Sequence, residues 1–184
     1  FQGVWKALAL VVILASLFGA VQVYFFIQRH YQTWDYLLGQ IDRGQYYARF
    51  QEARQGERDF NAYASWVVAN WIRERTTRED YVLVFGYEPG INYIAGRRSP
   101  SRFHYDYPLD YPAKTQFAVR VQKRWQRLFL EELNKRKPRV VVLVRNDMNA
   151  IEPVDSYHQA MQFREFREWL TKNYRQGERI EDFE

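Results

Sequence analysis

Tyr81-Val-Leu-Val-Phe-Gly-Tyr-Glu-Pro-Gly-Ile-Asn-Tyr-Ile-Ala-Gly-Arg-Arg-Ser-Pro-Ser-Arg-Phe103 opens with a continuous apolar run that breaks at Gly86. Such a run, too short for a helix, is the mark of a strand buried on both faces, as in a parallel sheet. Pro89 suits the first turn of a helix, Ile91, Tyr93 and Ile94 continue it, and Gly96 fits the left-handed residue that ends it. The stretch reads as strand, glycine turn, short helix and then the basic loop Arg97-Arg-Ser-Pro-Ser-Arg102.

Upstream, Phe60, Ala64, Val67, Val68, Trp71 and Ile72 recur at helical spacing, with Asp59 placed to cap the start and Thr76–Asp80 making the turn into the strand. Downstream, Phe103–Tyr107 reads as a second short strand before Pro108 and Pro112. A long helix follows from about Ala113, with Phe117, Val121, Trp125, Leu128, Phe129 and Leu133 on its inner face; Lys135, Arg136 and Lys137 suit its negative end and Pro138 stops it. Arg139–Val144 is another buried strand. A helix over about Ser156–Tyr174, burying Phe163, Phe166, Trp169 and Leu170, then leads past Gly177 into a terminal strand from Arg179. Alternation of this kind predicts an α/β fold, a three-layer Rossmann-like sandwich with a short, mostly parallel sheet and helices on both faces.

One transmembrane helix is expected to precede this fold. Ala7–Ile27 is apolar apart from Ser16 and Gln22, and at ~1.5 Å per residue it spans about 31 Å, the thickness of a bilayer core. Trp5 and Tyr24, Phe25 and Phe26 place rings at both interfaces, with Lys6, Arg29 and His30 as polar stops. The run is longer than the apolar region of a signal peptide and no small-residue cleavage pattern follows it. The expected organisation is therefore a remnant of an engineered protease site at 1–3, a transmembrane helix at 4–28, a juxtamembrane helical segment at 29–58 broken near Gly39 and Gly44, and a soluble α/β domain at 59–184. Arg49, Arg54 and Arg58 would lie either near lipid headgroups or on an ordinary solvated helix face. The start beside a bare membrane helix, and a final strand pattern that stops short, read as a piece of something longer.

The formal charge of +5 is modest: it is compatible with an anionic partner such as phospholipid headgroups or a lipid-linked phosphate, and it is weak as evidence for nucleic acid, which is not expected as a partner. Cysteine is absent, which excludes disulfides, thiol catalysis and thiolate metal sites. Gly86, Tyr87 and Glu88 fall beyond the carboxyl end of the first strand, where open α/β sheets bind ligands, but no GxGxxG or Walker motif is present. Arg97, Arg98 and Arg102 could grip a phosphate through bidentate contacts, or simply be solvated or paired with Glu88 or Asp106. His104 and Asp106 lack companions at metal-ligand spacing, Asp147 and Asp155 suit turns and helix starts, and no serine occupies a nucleophile elbow. No catalytic or metal-binding residue is assigned.

The membrane helix, the amphipathic helix ending before Asp80, YVLVFGYEPGINYIAGRRSPSRF, the long helix, KPRVVVLVRND and the final aromatic helix together resemble the C-terminal soluble region of polytopic GT-C-type membrane glycosyltransferases. This superfamily includes protein mannosyltransferases and aminoarabinose lipid A transferases, and the match runs from about Phe60 to Phe183. The resemblance implies a parent enzyme of the cell (inner) membrane that moves a sugar from a polyprenyl-phosphate donor to a lipid, glycan or protein acceptor. The catalytic acids of that superfamily lie in an early extracytoplasmic loop, outside this chain. The domain is then inert by itself, lies outside the cytoplasm, and covers the membrane cavity or positions the acceptor, with Glu88, Arg97, Arg98, Arg102 and Tyr105 as candidate substrate contacts. Implied partners are the lipid bilayer, the remaining transmembrane part of the parent, and a polyprenyl-phosphate sugar or glycan or lipid acceptor. No cofactor is implied in this part, and a divalent metal only in the remainder of the parent. The Arg-rich flank after the membrane helix would by itself favour a cytoplasmic domain, but earlier helices of a polytopic parent dominate orientation. The alternative is a single-pass, membrane-anchored binding or scaffolding module with no enzymatic role.

Overall fold

The computed structural model describes residues 2–49, 62–148, 153–180 and 183, and the chain divides into two compact units, Phe1–Arg49 and Phe50–Glu184. In the first, α1 (Gln2–Leu37) is one uninterrupted helix, about 54 Å long at ~1.5 Å per residue. Every side chain from Val11 to Ile27 is exposed, and Ser16 satisfies its hydroxyl within the helix by donating to the Val12 carbonyl at 2.8 Å. Among the described residues no helix is long and apolar enough to cross a membrane; the apolar run with described side chains, 11–27, amounts to about 25 Å. The chain turns at Gly39, whose φ of 69° is the left-handed geometry that glycine adopts without strain. α2 (Arg43–Ala48) then starts at a reciprocal cap between Asp42 and Gln45. The expected break at Gly39 is present, whereas Gly44 lies inside α2. Arg49 bonds Asp35 at 2.6 Å, and Tyr46 stacks on Tyr36 with ring centroids 4.9 Å apart, so α2 folds back onto α1. Arg54, Arg58, Asp59 and Phe60 lie outside the described residues.

In the second unit, β1 (Val82–Phe85) and β2 (Val140–Leu143) pair in parallel with Val82 opposite Val140 and Phe85 opposite Leu143. Isolated bridges lengthen the sheet on both sides, Tyr81 with Arg98 beside β1 and Val144 with Phe183 beyond β2. The remaining elements are α3 (Ala62–Arg75), α4 (Gly90–Ala95), α5 (Tyr107–Asp110), α6 (Gln116–Lys135), α7 (Ser156–Gln162) and α8 (Arg164–Asn173). Strand side chains alternate between two cores, as the two-residue period of a strand requires. Val82, Val84, Val142 and Val144 pack with Ala64, Val68 and Ile72 of α3 and Ile91 of α4. Leu83, Phe85 and Leu143 pack with Phe129 and Leu133 of α6, Ala160 of α7 and Phe166 of α8. This second core is an aromatic cluster: Phe166 lies 4.9 Å from Phe85 and 5.2 Å from Phe129, ring centroid to centroid. Each fully buried side chain of this kind contributes about 1.5–3 kcal/mol. The unit is thus mixed α/β, with helices on both faces of a short parallel pair.

Four details differ from the pattern in the sequence. The strand expected over Phe103–Tyr107 is absent: the segment that reaches the sheet beside β1 is Arg98, and Tyr107 already begins α5, with Pro108 in its first turn. Phe103 is drawn off by aromatic packing, its ring 6.4 Å from Trp125 and 6.3 Å from Phe129. α6 begins at Gln116 because Thr115 accepts from the Ala118 N–H as its cap, and only Phe129 and Leu133 of the expected inner stripe are fully buried. The final helix is two helices, since Phe163 leaves helical geometry (ψ 89°) with its ring packed against Phe129 and Phe166. The terminal strand is reduced, among the described residues, to the bridges of Phe183 with Val144 and with Ile180.

Candidate functional site at the carboxyl end of the sheet

β1 and β2 end side by side, with the Val144 N–H donating to the Phe85 carbonyl at 3.1 Å. Gly86 follows with φ of 143°, and a Cβ there would lie 2.5 Å from Val144 Cγ2, so only glycine lets the two strand ends approach this closely. The next residues, Tyr87 and Glu88, enter the crevice beyond the strands where ligands of open α/β sheets bind.

Acid side chains dominate this end. Glu88 is only 7% exposed, and its Oε2 accepts from the Ser65 hydroxyl of α3 at 3.0 Å. Burial pushes the Glu88 carboxyl up to about 7, with nearby Asp147 acting in the same direction against the Ser65 bond. Asp147 stitches the crevice: it accepts from the Tyr87 N–H at 3.1 Å, the Ser156 N–H at 2.9 Å and the Ser156 hydroxyl. Asp155 caps α7 through the His158 N–H at 2.9 Å, and also accepts from the Asn146 N–H and pairs with His158 Nδ1. Its burial alone would raise the Asp155 carboxyl, but these bonds outweigh burial and hold it below the usual range. Asp110 of α5 is pushed up to about 6 by burial and by Asp106.

Ser156 donates to Asp147 while His158 pairs with Asp155, so serine, histidine and acid do not form one relay. Asp147 and Asp155 serve as turn and helix-start acceptors, as their positions in the sequence suggest. Among the described residues no group of three or more His, Asp or Glu comes together in a way that could hold a metal ion. The group at this end best suited to proton transfer near neutrality is Glu88.

The five expected substrate contacts do not converge. Glu88 lies at the carboxyl end, and half-exposed Tyr105 joins it there through Tyr87, ring centroids 5.9 Å apart. The three arginines lie at the opposite, amino end of the strands. Arg97 spreads its donors over the Thr76 hydroxyl (2.8 Å) and the carbonyls of Thr76 (2.7 Å), Ala95 (3.0 Å), Arg73 (3.2 Å) and Gly96 (3.3 Å). It therefore caps the carbonyl ends of α3 and α4 at once. Arg98 pairs with Glu79 at 3.1 Å and stacks over Tyr81. Arg102 pairs with Glu132 at 2.7 Å. Burial would raise the Glu132 carboxyl, but the Arg102 N–H and guanidinium and the Ser101 hydroxyl hold it below the usual range. Arg98 and Arg102 are thus paired, as one reading of the loop allowed, although with Glu79 and Glu132 in place of Glu88 or Asp106, while Arg97 is engaged with helix carbonyls. His104 is exposed and Asp106 is buried at the start of α5. Ser65 went unnoticed in the sequence; its signal was a lone small polar residue on the inner face of α3.

A cleft of about 360 Å³ runs beside β2, lined by Trp71, Val140, Val142, Met161 and Tyr174 among others, and none of the five expected contacts lines it. Comparison with protein families, with curated proteins and with solved structures returned no match.

Proposed function

We propose that this chain is a membrane-spanning helix followed by the soluble α/β domain of a polytopic GT-C-type glycosyltransferase of the cell (inner) membrane. In this reading the domain is extracytoplasmic and accessory: it covers the membrane cavity or positions an acceptor for a polyprenyl-phosphate-linked sugar, and any divalent metal belongs to the rest of the enzyme. One observation carries the reading. Val11–Ile27 is a helical run whose side chains are all exposed and almost all apolar, an arrangement unfavourable in water at about 25 cal/mol per Å² and favourable in a bilayer. The sequence continues the run back to Ala7, for about 31 Å in all.

Other features agree with an accessory role. Helices on both faces of a parallel pair suit a Rossmann-like three-layer sandwich, and the polar groups at its carboxyl end are mostly spent on turns and caps. A second reading, a single-pass anchored scaffolding module, is favoured by one observation: Arg97, Arg98 and Arg102 are engaged inside the domain. The coding sequence upstream separates the two. Further apolar spans with an early acidic loop are expected; their absence would leave the scaffolding module. Turnover of a polyprenyl-phosphate sugar by this chain alone in a bilayer would overturn both.

A further inference from the structure

We propose that the first two-thirds of α6, residues 116–128, is a docking surface for an anionic lipid bilayer. The inference deepens the membrane reading above by naming the face of the soluble domain that meets headgroups.

The apolar arc of α6 is wider than its contact with the core. Phe129 and Leu133 fill the aromatic core, while Phe117 is 70% and Trp125 40% exposed. Phe117, Val121 and Leu128 recur at spacings of four and seven residues and so lie on one stripe, with Trp125 at its margin. Arg120, Arg124 and Arg127 share the adjacent stripe at the same spacing, with Lys123 beside them, and all four are exposed. None forms an ion pair among the described residues. From Tyr111 to Leu130 the sequence holds five cations, counting Lys114, and no carboxylate.

An apolar stripe with exposed rings at Phe117 and Trp125 and half-buried Val121 and Leu128, flanked by a cationic one, is the pattern of a helix lying in a membrane interface, rings among the acyl boundary and cations among phosphates. The charge selects an anionic surface, because a zwitterionic one carries phosphates but no net negative potential to draw the cations in. A nucleic acid would satisfy the cations but leave the exposed faces of Phe117 and Trp125 in water, and an acidic protein would need an apolar patch to match. A bilayer supplies both in one surface. α5 and the preceding turn brace this part of the helix from behind, through Gln122 to the Tyr111 carbonyl and Gln126 to the Leu109 carbonyl, both at 2.7 Å. The stripe is therefore held open on the outer side.

The absence of cysteine permits a clean test on the whole chain. Single Phe117→Cys, Tyr93→Cys and Phe18→Cys variants would each carry an environment-sensitive fluorophore and be placed in vesicles of phosphatidylcholine, with or without phosphatidylglycerol. Tyr93 is 90% exposed on α4 and serves as the aqueous control. The label at 117 is expected to be quenched by lipid-phase nitroxide about threefold more strongly in anionic than in neutral vesicles. That difference should vanish in about 1 M salt, where the Debye length is ~3 Å, and in the variant combining Arg120→Glu, Arg124→Glu and Arg127→Glu. A label at 117 that stays as aqueous as the one at 93 in anionic vesicles would overturn the proposal. So would one that leaves water only on adding a soluble polyanion. The label at 18 reports separately on the bilayer span: its failure to be quenched counts against the transmembrane reading, whatever the label at 117 does.

Discussion

The two ends of the β1–β2 pair are built from opposite chemistry. At the amino end, Arg97, Arg98 and Arg102 satisfy helix carbonyls, an exposed acid (Glu79) and a mostly buried one (Glu132), and each guanidinium has its own partners. At the carboxyl end, Glu88 and Asp110 are held where their charged forms are disfavoured, while Asp155 is held in its charged form. The arginines that cluster in sequence are engaged with partners inside the domain, while burial pushes the Glu88 carboxyl, two residues after Gly86, up to about 7. The difference follows from geometry. Donors near the carbonyl ends of helices find acceptors at once, whereas the Glu88 side chain, buried at a strand end, accepts among the described residues from the Ser65 hydroxyl.

The largest effect is expected where the carboxyl end is joined. Gly86→Ala places a methyl group 2.5 Å from Val144 Cγ2 and 2.6 Å from Val144 Cβ, at a φ that side chains rarely adopt. Because Val144 Cβ cannot swing away, the strand ends must separate, at a cost of about 3–4 kcal/mol. Chemical unfolding of the whole chain in detergent should show a lower midpoint with an unchanged slope. A loss below about 1 kcal/mol would mean that the close approach of the strands is not structural.

At the amino end, the comparison is sharpened by two neighbouring arginines. Arg97→Ala leaves the carbonyl ends of α3 and α4 without their shared donor and is expected to cost about 2–3 kcal/mol. Arg97→Lys should recover little, because one ammonium cannot reach acceptors spread over both helices. Arg98→Ala, losing an exposed pair with Glu79 and a contact over Tyr81, should cost about 0.5 kcal/mol. Equal losses from Arg97→Ala and Arg98→Ala would remove the distinction between capping and surface pairing.

Much of this was legible in the sequence, and the rest was hidden for definite reasons. The runs at Val82–Phe85 and Val140–Leu143 announced buried parallel strands because both faces are apolar, and Gly96 announced a helix end that the structure places at φ 65°. The site was legible only in outline. Gly86 and Glu88 could be placed beyond a strand, but the sequence cannot say that Ser65, 23 positions earlier, turns its hydroxyl to Glu88. Proximity in sequence also misled: Glu88 and Arg97 are separated by one short helix, which carries them to opposite ends of β1. Phe103 looked like a strand residue because aromatics favour strands, and tertiary packing against Trp125 and Phe129 overrode that preference. Periodicity likewise marked Phe117 as core, since spacing shows that a stripe is apolar and not what covers it.

The carboxyl end can be probed through its proton. The Glu88 carboxyl titrates at about 7 in the folded domain against an ordinary value of 4.5. Between those values the unfolded chain has released this proton and the folded one has kept it, so the folded state binds more protons and stability falls as pH rises. The contribution is fully present below pH 4.5, is lost as pH rises through 7, and levels off above that. A shift of this size in a carboxyl not wholly sealed from water corresponds to on the order of 2 kcal/mol. Glu88→Gln keeps an acceptor for Ser65 and removes the titration. Asp110 shifts in the same direction but is common to both proteins and cancels in the comparison. Unfolding measured from pH 4.5 to 8 should therefore show the variant gaining on the wild type by that amount, with most of the gain complete near pH 7. Parallel stability curves would mean that Glu88 is already ionised at its strand end, and the contrast between the two ends would reduce to one of charge sign.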